Sequence, residues 1–376
     1  MYYLFVIRRF YVHNYRCLEN FELPISGKSS ALLIGKNGAG KTTVSFALEI
    51  LQRIARGTNR VGSLVRPTDF ARGRADVPIR LQIEVDLHGR IYGYTIAFEF
   101  PEGFKELRVL EEELAVDGNP IYTRETAQVH LERTGQQAEA RFRIDWHLVA
   151  LPTVQEQSPR DPLFIFKQWL AHMLILRPLP SLSRGESESK NETLQPNPEV
   201  ADFGGWFSGL LSSTPAAYTT IDSFLRPLMP DLKDIKNPVI GTDSRRLVVQ
   251  FSNDRGTMSL PYDALSEGEK CFMICALVLA TNRDYSPTVC FWDEPDNHLA
   301  LSEVGHFVLA LRKDFQSGGQ FIATSHNPEA ISQFSDENTL YLYRNSHIEP
   351  TIVRPVSQMQ VAGDIVGALI RDDVKP

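Results

Sequence analysis

Gly35-Lys36-Asn37-Gly38-Ala39-Gly40-Lys41-Thr42 fits the pattern G-x-x-x-x-G-K-[ST] at every defined position. Its flanks are those the pattern needs. Ala31-Leu32-Leu33-Ile34 reads as a short buried strand entering the loop. Lys41 to Ile54 reads as a helix leaving it, with Val44, Phe46, Leu48, Leu51 and Ile54 near helical spacing and Gly57 placed to stop it. Three glycines let the backbone curl so that its N–H groups point inward, and the helix N-terminus adds positive potential. Both features suit phosphate. In such a loop Lys41 bridges the outer phosphates and the Thr42 hydroxyl holds Mg²⁺.

A chain of 376 residues has room for roughly two to three domains, each with a full core. No apolar run approaches the roughly 20 residues that span a bilayer, so no membrane segment is expected. The opening Met1-Tyr2-Tyr3-Leu4-Phe5-Val6-Ile7-Arg8-Arg9 is apolar before it is basic, the reverse of a secretory signal. Cys17, Cys271, Cys275 and Cys290 form no metal-binding spacing. The last three lie in apolar segments and read as core thiols of a cytoplasmic protein. A net charge of −7 excludes a surface coated in positive charge but not a local basic patch. Residues 53–80 supply one, with Arg53, Arg56, Arg60, Arg66, Arg72, Arg74 and Arg80 against Asp69 and Asp76. Two readings stand for it: a track for a phosphate backbone, or a solvated loop whose arginines pair with carboxylates elsewhere.

Along the chain, Leu4–Tyr11 and Tyr15–Leu23 read as a hairpin turning near Asn14. Residues 79–87 alternate apolar and polar without a break, His88-Gly89 turns, and Ile91–Phe100 runs back. Strand-like pieces follow at 107–116, 121–123, 129–131 and 141–148, so antiparallel β-structure is expected over 79–150. Residues 163–178 read as a helix, 181–200 as a mobile loop, and 202–229 as two short helices split near Pro215. Leu247–Phe251 and Thr257–Leu260 read as another hairpin. No heptad run announces a coiled-coil arm.

Four later motifs narrow the chemistry. Leu265-Ser266-Glu267-Gly268-Glu269-Lys270 heads an apolar helix running to Ala280. Ser266 and Gly268 then lie at a helix N-terminus, a natural anion site, although Ser266 with Glu269 also spells an ordinary capping box. Thr288-Val289-Cys290-Phe291-Trp292-Asp293-Glu294-Pro295 is a strand ending in two acids. Asp293 there can reach Mg²⁺, and Glu294 can deprotonate an attacking water. Asp296-Asn297-His298-Leu299 follows; Asp296 could reach across a subunit boundary, and His298 reads as a structural contact. Gln320-Phe321-Ile322-Ala323-Thr324-Ser325-His326-Asn327-Pro328 is an apolar strand ending in Ser-His, with His326 placed to contact a γ-phosphate.

In this order the motifs resemble those of ABC-type ATPases: Walker A at 35–42, signature at 265–270, Walker B at 289–294, D-loop at 296–299 and a switch histidine at 326. Asn14-Tyr15-Arg16-Cys17-Leu18-Glu19-Asn20-Phe21 is similar to the opening strand of RecF and SMC-type heads. Asp-Glu-Pro-Asp-Asn-His-Leu and Ala-Thr-Ser-His-Asn-Pro resemble the AAA-type ATPases grouped with the OLD proteins. The resemblance implies an α/β P-loop head with an antiparallel β lobe and an inserted helical lid. Its division would be 1–78 and 241–376 for the two halves of the core, 79–150 for the lobe and 151–240 for the lid. It implies ATP held by Gly35, Lys36, Asn37, Gly38, Ala39, Gly40, Lys41, Thr42 and Thr43, and Mg²⁺ held by Thr42 and Asp293. Lys41, Glu294 and His326 would be catalytic. Ser266 and Gly268 would face the nucleotide of a second subunit in a homodimer or higher oligomer.

The sequence departs from that pattern in places. Glu267 replaces the first signature glycine, and Glu269-Lys270 stand at its end. The Q-loop glutamine is left unassigned; Gln82 falls within a strand and is a poor candidate. Tyr11 and Tyr15 are the candidates to stack on adenine. The stretch after His326 is too short for a TOPRIM nuclease, so an OLD-type nuclease is not expected within these residues. The expectation is therefore an ATP-driven switch controlling a separate effector, such as a nuclease or toxin in anti-phage defence. The alternative is a RecF/SMC-like ATPase of DNA repair or chromosome maintenance, touching DNA through Arg66, Arg72 and Arg74.

Overall fold

A computed structural model describes residues 6–132, 140–359 and 365–370. The chain forms two compact units, Met1–Met173 with Ser335–Pro376, and Leu174–Phe334.

In the first unit, Ser30–Ile34 is a strand with all five residues buried. It runs parallel to Thr339–Tyr343, which pairs antiparallel with Ile352–Pro355. The helix Lys41–Ala55 follows the glycine loop and buries Val44, Leu48, Leu51 and Ile54. It packs on the helix Pro162–Ala171. Gly57, in the left-handed region at φ 99°, turns the chain away just past its end.

The same unit holds an antiparallel sheet of eight strands. Their spatial order is Phe21–Glu22, Val6–His13, Ile79–Leu87, Arg90–Glu99, Arg108–Val116, Asn119–Glu125, Gln128–Leu131 and Ala140–Arg143. Ile79–Leu87 alternates buried and half-buried residues from end to end, as its sequence predicts. His88 and Gly89 both take positive φ, the conformation of a two-residue hairpin turn that matches strand twist. The opening hairpin is shorter than expected. Only Phe21–Glu22 pairs back on Val6–His13, because Asn14, Arg16 and Asn20 all take positive φ and break the second arm. Its expected start at Leu4 lies outside the described residues. The expected 141–148 strand stops at Arg143.

Beneath this sheet, Glu112 and Arg124 form an ion pair with no side-chain exposure. The carboxylate also accepts from the hydroxyls of Tyr94 (3.0 Å) and Tyr122 (2.8 Å) and from the N–H groups of Ala150 (2.7 Å) and Leu151 (2.8 Å). Arg124 donates to the carbonyls of Thr126, Asp145 and Leu148. The segment 145–151 is thereby anchored to the sheet. Val149 N–H in turn donates to Asn59 O, and Val61 N–H to His147 O, in the loop that follows the Lys41–Ala55 helix.

In the second unit, Leu174–Leu176, Val289–Asp293 and Gln320–Thr324 run parallel in that order. The helix expected over 163–178 ends at Ala171, and Leu174–Leu176 is a strand. Four consecutive apolar residues from Met173 to Leu176 suit a buried strand as well as a helix. The expected loop 181–200 carries the strand Glu186–Glu188, paired with Ser244–Arg246. Phe203–Ser213 and Ala217–Leu225 are the two short helices, broken where Pro215 removes a donor. Val248–Asn253 and Gly256–Pro261 form the expected hairpin. Glu267–Ala280 is a helix whose residues Lys270 to Ala280 are all buried. Leu301–Phe315 buries Val304, Phe307, Val308, Leu311 and Phe315.

Candidate functional site

The glycine loop sits where sequence places it, between a buried strand and a helix. Gly40 is the N-cap of the Lys41–Ala55 helix, left-handed at φ 103°, and as a glycine it has no side chain with which to cap it. No acidic residue lies in the first turn. The first-turn N–H groups of a helix have no intrahelical acceptors, so an uncapped start of this kind favours an anion. Two glycines are compelled by close approach. A Cβ on Gly35 would lie 2.0 Å from Leu342 O, and one on Gly40 would lie 2.7 Å from the Thr351 hydroxyl. Lys41, only 7% exposed, turns its Nζ into the loop and donates to Gly35 O (2.7 Å) and Lys36 O (3.3 Å). An ammonium held at the loop by backbone carbonyls is placed to meet a polyphosphate. These residues fit the phosphates of a nucleotide on the chemistry of the donor set alone.

Three residues that local sequence does not flag support the loop. Thr351 donates its hydroxyl to Ala39 O at 2.9 Å. Arg344 reaches Gly38 O at 3.3 Å. Cys17 Sγ lies 3.6 Å from the Thr43 hydroxyl. Thr351 and Arg344 come from more than 300 residues away, so no short motif could reveal them.

The second unit gathers the acids. Asp293 is the last residue of its strand. In the parallel register it stands beside Thr324, whose hydroxyl donates to Asp293 Oδ1 and accepts from Glu294 N–H (2.9 Å). Glu294 follows at φ 52°, an uncommon conformation for a residue with a side chain. That turn swings its carboxylate off the strand axis. Asn297 Nδ2 donates to one oxygen at 2.7 Å, and His326 Nε2 stands 3.8 Å from the other. Glu294 and His326 are both about 40% exposed, so a water can reach them. A carboxylate aimed by an amide and flanked by an imidazole can take a proton from that water.

Asp296, which the sequence reading allows to reach across a subunit boundary, is buried within this chain. It is 7% exposed and accepts from the Ser325 hydroxyl at 3.0 Å; its other oxygen is buried with no partner among the described residues. Burial raises its pKa above the ordinary aspartate value, and neighbouring Glu294 adds to the shift. His298 is the structural contact expected of it, 2.9 Å from Glu267.

Ser266 caps the Glu267–Ala280 helix and forms the full capping box with Glu269. Glu269 Oε2 accepts from both Ser266 N–H and Ser266 Oγ at 2.7 Å. This helix start therefore carries its own carboxylate, whereas that of Lys41–Ala55 carries none. Gly268 is fixed by the carbonyl of His298, 3.0 Å from where its Cβ would stand. Lys270 is buried, with Nζ 3.3 Å from Pro180 O and over the Tyr262 ring.

The arginine-rich stretch is largely paired within its own unit. Arg72 and Arg74 share Glu19, which is 10% exposed, and Arg16 pairs with Asp69. Arg66 is exposed. Gln82 lies in the strand Ile79–Leu87 and accepts from Arg9. Tyr15 is 2% exposed and closed to stacking, while Tyr11 bonds Asn20 and lies under Arg9. Cys271, Cys275 and Cys290 are free and buried; burial pushes the Cys271 thiol up to about 12. No helix among the described residues is long and apolar enough to cross a membrane.

The family model described as "AAA domain, putative AbiEii toxin, Type IV TA system" matches residues 30–332. No curated protein matches the chain. Among solved structures, an SMC head bound to the C-terminal winged-helix domain of ScpA aligns with TM-score 0.54 at 13% identity. That alignment covers 93% of this chain and 97% of that one. A Pyrococcus furiosus Smc head with an extended coiled coil, bound to the C-terminal domain of ScpA, aligns with TM-score 0.50 at 11% identity, over 98% of each chain. The likeness shows the fold, an α/β P-loop head of the ABC type with an antiparallel β lobe.

Proposed function

The chain belongs to this AAA-domain family, and we propose that it binds and hydrolyses ATP to switch conformation. The observation that carries the reading is the uncapped helix start behind the glycine loop, with Lys41 turned into it. Gly35 to Thr43 would hold the phosphates, and Thr42 and Asp293 would hold Mg²⁺, which would neutralise charge on the phosphates. Glu294 takes the proton of the attacking water. Asn297 keeps its carboxylate aimed, and His326 contacts the γ-phosphate.

Two copies close on ATP, with Ser266 and Gly268 of each facing the nucleotide of the other. For Ser266 to meet a phosphate, its hydroxyl exchanges Glu269 for the ligand. The family's description as part of a toxin–antitoxin system supports control of a separate effector, in a cytoplasmic defence role, over direct DNA repair. The pairing of Arg72 and Arg74 with Glu19 supports the same choice, since it leaves fewer arginines for DNA. Calorimetry tests the nucleotide site: Lys41→Ala should lose most ATP affinity, and equal binding by wild type and variant would remove the assignment.

A further inference from the structure

Beside the glycine loop, within the first unit, lies a cavity of about 340 Å³. One wall is the loop itself, Lys36 to Ala39; the other is the end of the Thr339–Tyr343 strand and the residues after it. Tyr341 and Tyr343 lie on the same face of that strand, rings stacked at 5.9 Å and 19°. Tyr341 is buried, and the half-buried Tyr343 ring lines the cavity with Arg344, Asn345 and His347.

We propose that this cavity is the nucleobase subsite of the nucleotide that the glycine loop grips. The proposal deepens the ATP reading and rests on it. Its volume falls in the usual range for small-molecule sites, and its lining joins an aromatic face to amide and cationic groups. A base offers a π-face to an aromatic ring and a polar edge to such groups. The walls are held in fixed register with the phosphate grip. Arg344 clamps the far wall by donating to Gly38 O, Glu349 O and His347 O, and Thr351 donates to Ala39 O. A ligand anchored by its phosphates therefore meets the Tyr343 ring in one defined position. Tyr15 is enclosed and Tyr11 is engaged by Arg9 and Asn20, so neither sequence candidate offers a free ring.

The test compares ATP with tripolyphosphate, which has the phosphates and no base, both with Mg²⁺ in calorimetry on the full chain. Tyr343→Leu keeps apolar bulk and removes the π-face; it should weaken ATP roughly tenfold, on the usual worth of base stacking, and leave tripolyphosphate unchanged. Tyr343→Phe should restore ATP affinity. Wild-type ATP affinity in Tyr343→Leu would overturn the subsite. An equal loss of both ligands would also overturn it, because the residue would then be supporting the loop rather than the base. Lys41→Ala separates the two readings: it should weaken both ligands, and if it weakens neither, the phosphate grip itself falls and the subsite with it.

Discussion

Replacing Glu112 by Gln tests whether the buried pair anchors segment 145–151. One carboxylate oxygen accepts from Tyr94, Tyr122 and Leu151 N–H; the other accepts from Ala150 N–H and Arg124. Glutamine has one acceptor oxygen and one NH₂ group. Whichever way the amide turns, its NH₂ faces at least two buried donors. Each donor stranded without an acceptor costs about 1–3 kcal/mol. Arg124 also loses its counter-charge, although three backbone carbonyls still hold it. Breaking a buried pair from one side typically costs about 3–5 kcal/mol, and the donor count agrees with that range. Burial, with Glu112 adding to it, raises the pKa of both tyrosines well above the ordinary value, so their hydroxyls remain donors at any working pH. Hydrogen exchange reads the effect locally. The amides of Ala150 and Leu151 should exchange on the order of 10²- to 10³-fold faster, while the central Ile79–Leu87 strand changes less. Replacing Glu112 and Arg124 together by Leu and Met should cost less than the sum of the single changes. A loss below about 1 kcal/mol in Glu112→Gln, or additive double-variant costs, would refute the reasoning.

Three further outcomes follow from the same geometry. Asp296→Asn should raise Tm at pH 7. Its raised pKa means that the folded state holds the proton more tightly, so ionisation costs stability as pH rises through the folded pKa. The gain should shrink as pH falls toward 3.8, and a gain independent of pH would exclude a charge effect. Ser266→Arg should block ATP-driven dimerisation in sedimentation without unfolding the chain. Mixing it with Lys41→Ala should restore some activity by leaving one intact site per mixed dimer, and no recovery at any ratio would count against shared sites. If DNA meets the arginine-rich stretch, Arg66→Glu should lower the log–log salt slope by about 0.9, while an unchanged slope assigns Arg66 to solvent or a protein partner.

The parts of the fold written in short-range pattern were legible in the sequence. The strand–loop–helix at Ser30–Ala55, the alternation of Ile79–Leu87 and the breaks at Pro215 and Gly57 each follow from local backbone physics. So does the helix start at Ser266, whose capping box is spelled by two residues. What escaped was decided by distant partners. Leu174–Leu176 is a strand because Val289–Asp293 pairs with it, not because its residues exclude a helix. Asp296 turns inward because Ser325 receives it. Glu112 reads as one more polar residue on an alternating strand, and only Arg124 and the 145–151 segment reveal it as buried. The loop supports Thr351 and Arg344 likewise lie outside any motif.

Phosphate release by the purified chain, with and without Glu294→Gln, tests the central claim most directly. Glutamine keeps the shape that Asn297 holds and removes the base. The wild type should turn over ATP with Mg²⁺. The variant should fall by roughly 10²-fold or more, on the usual worth of a general base, while still binding ATP. Unchanged turnover in Glu294→Gln, or no turnover in the wild type under any condition that permits binding, would contradict the account.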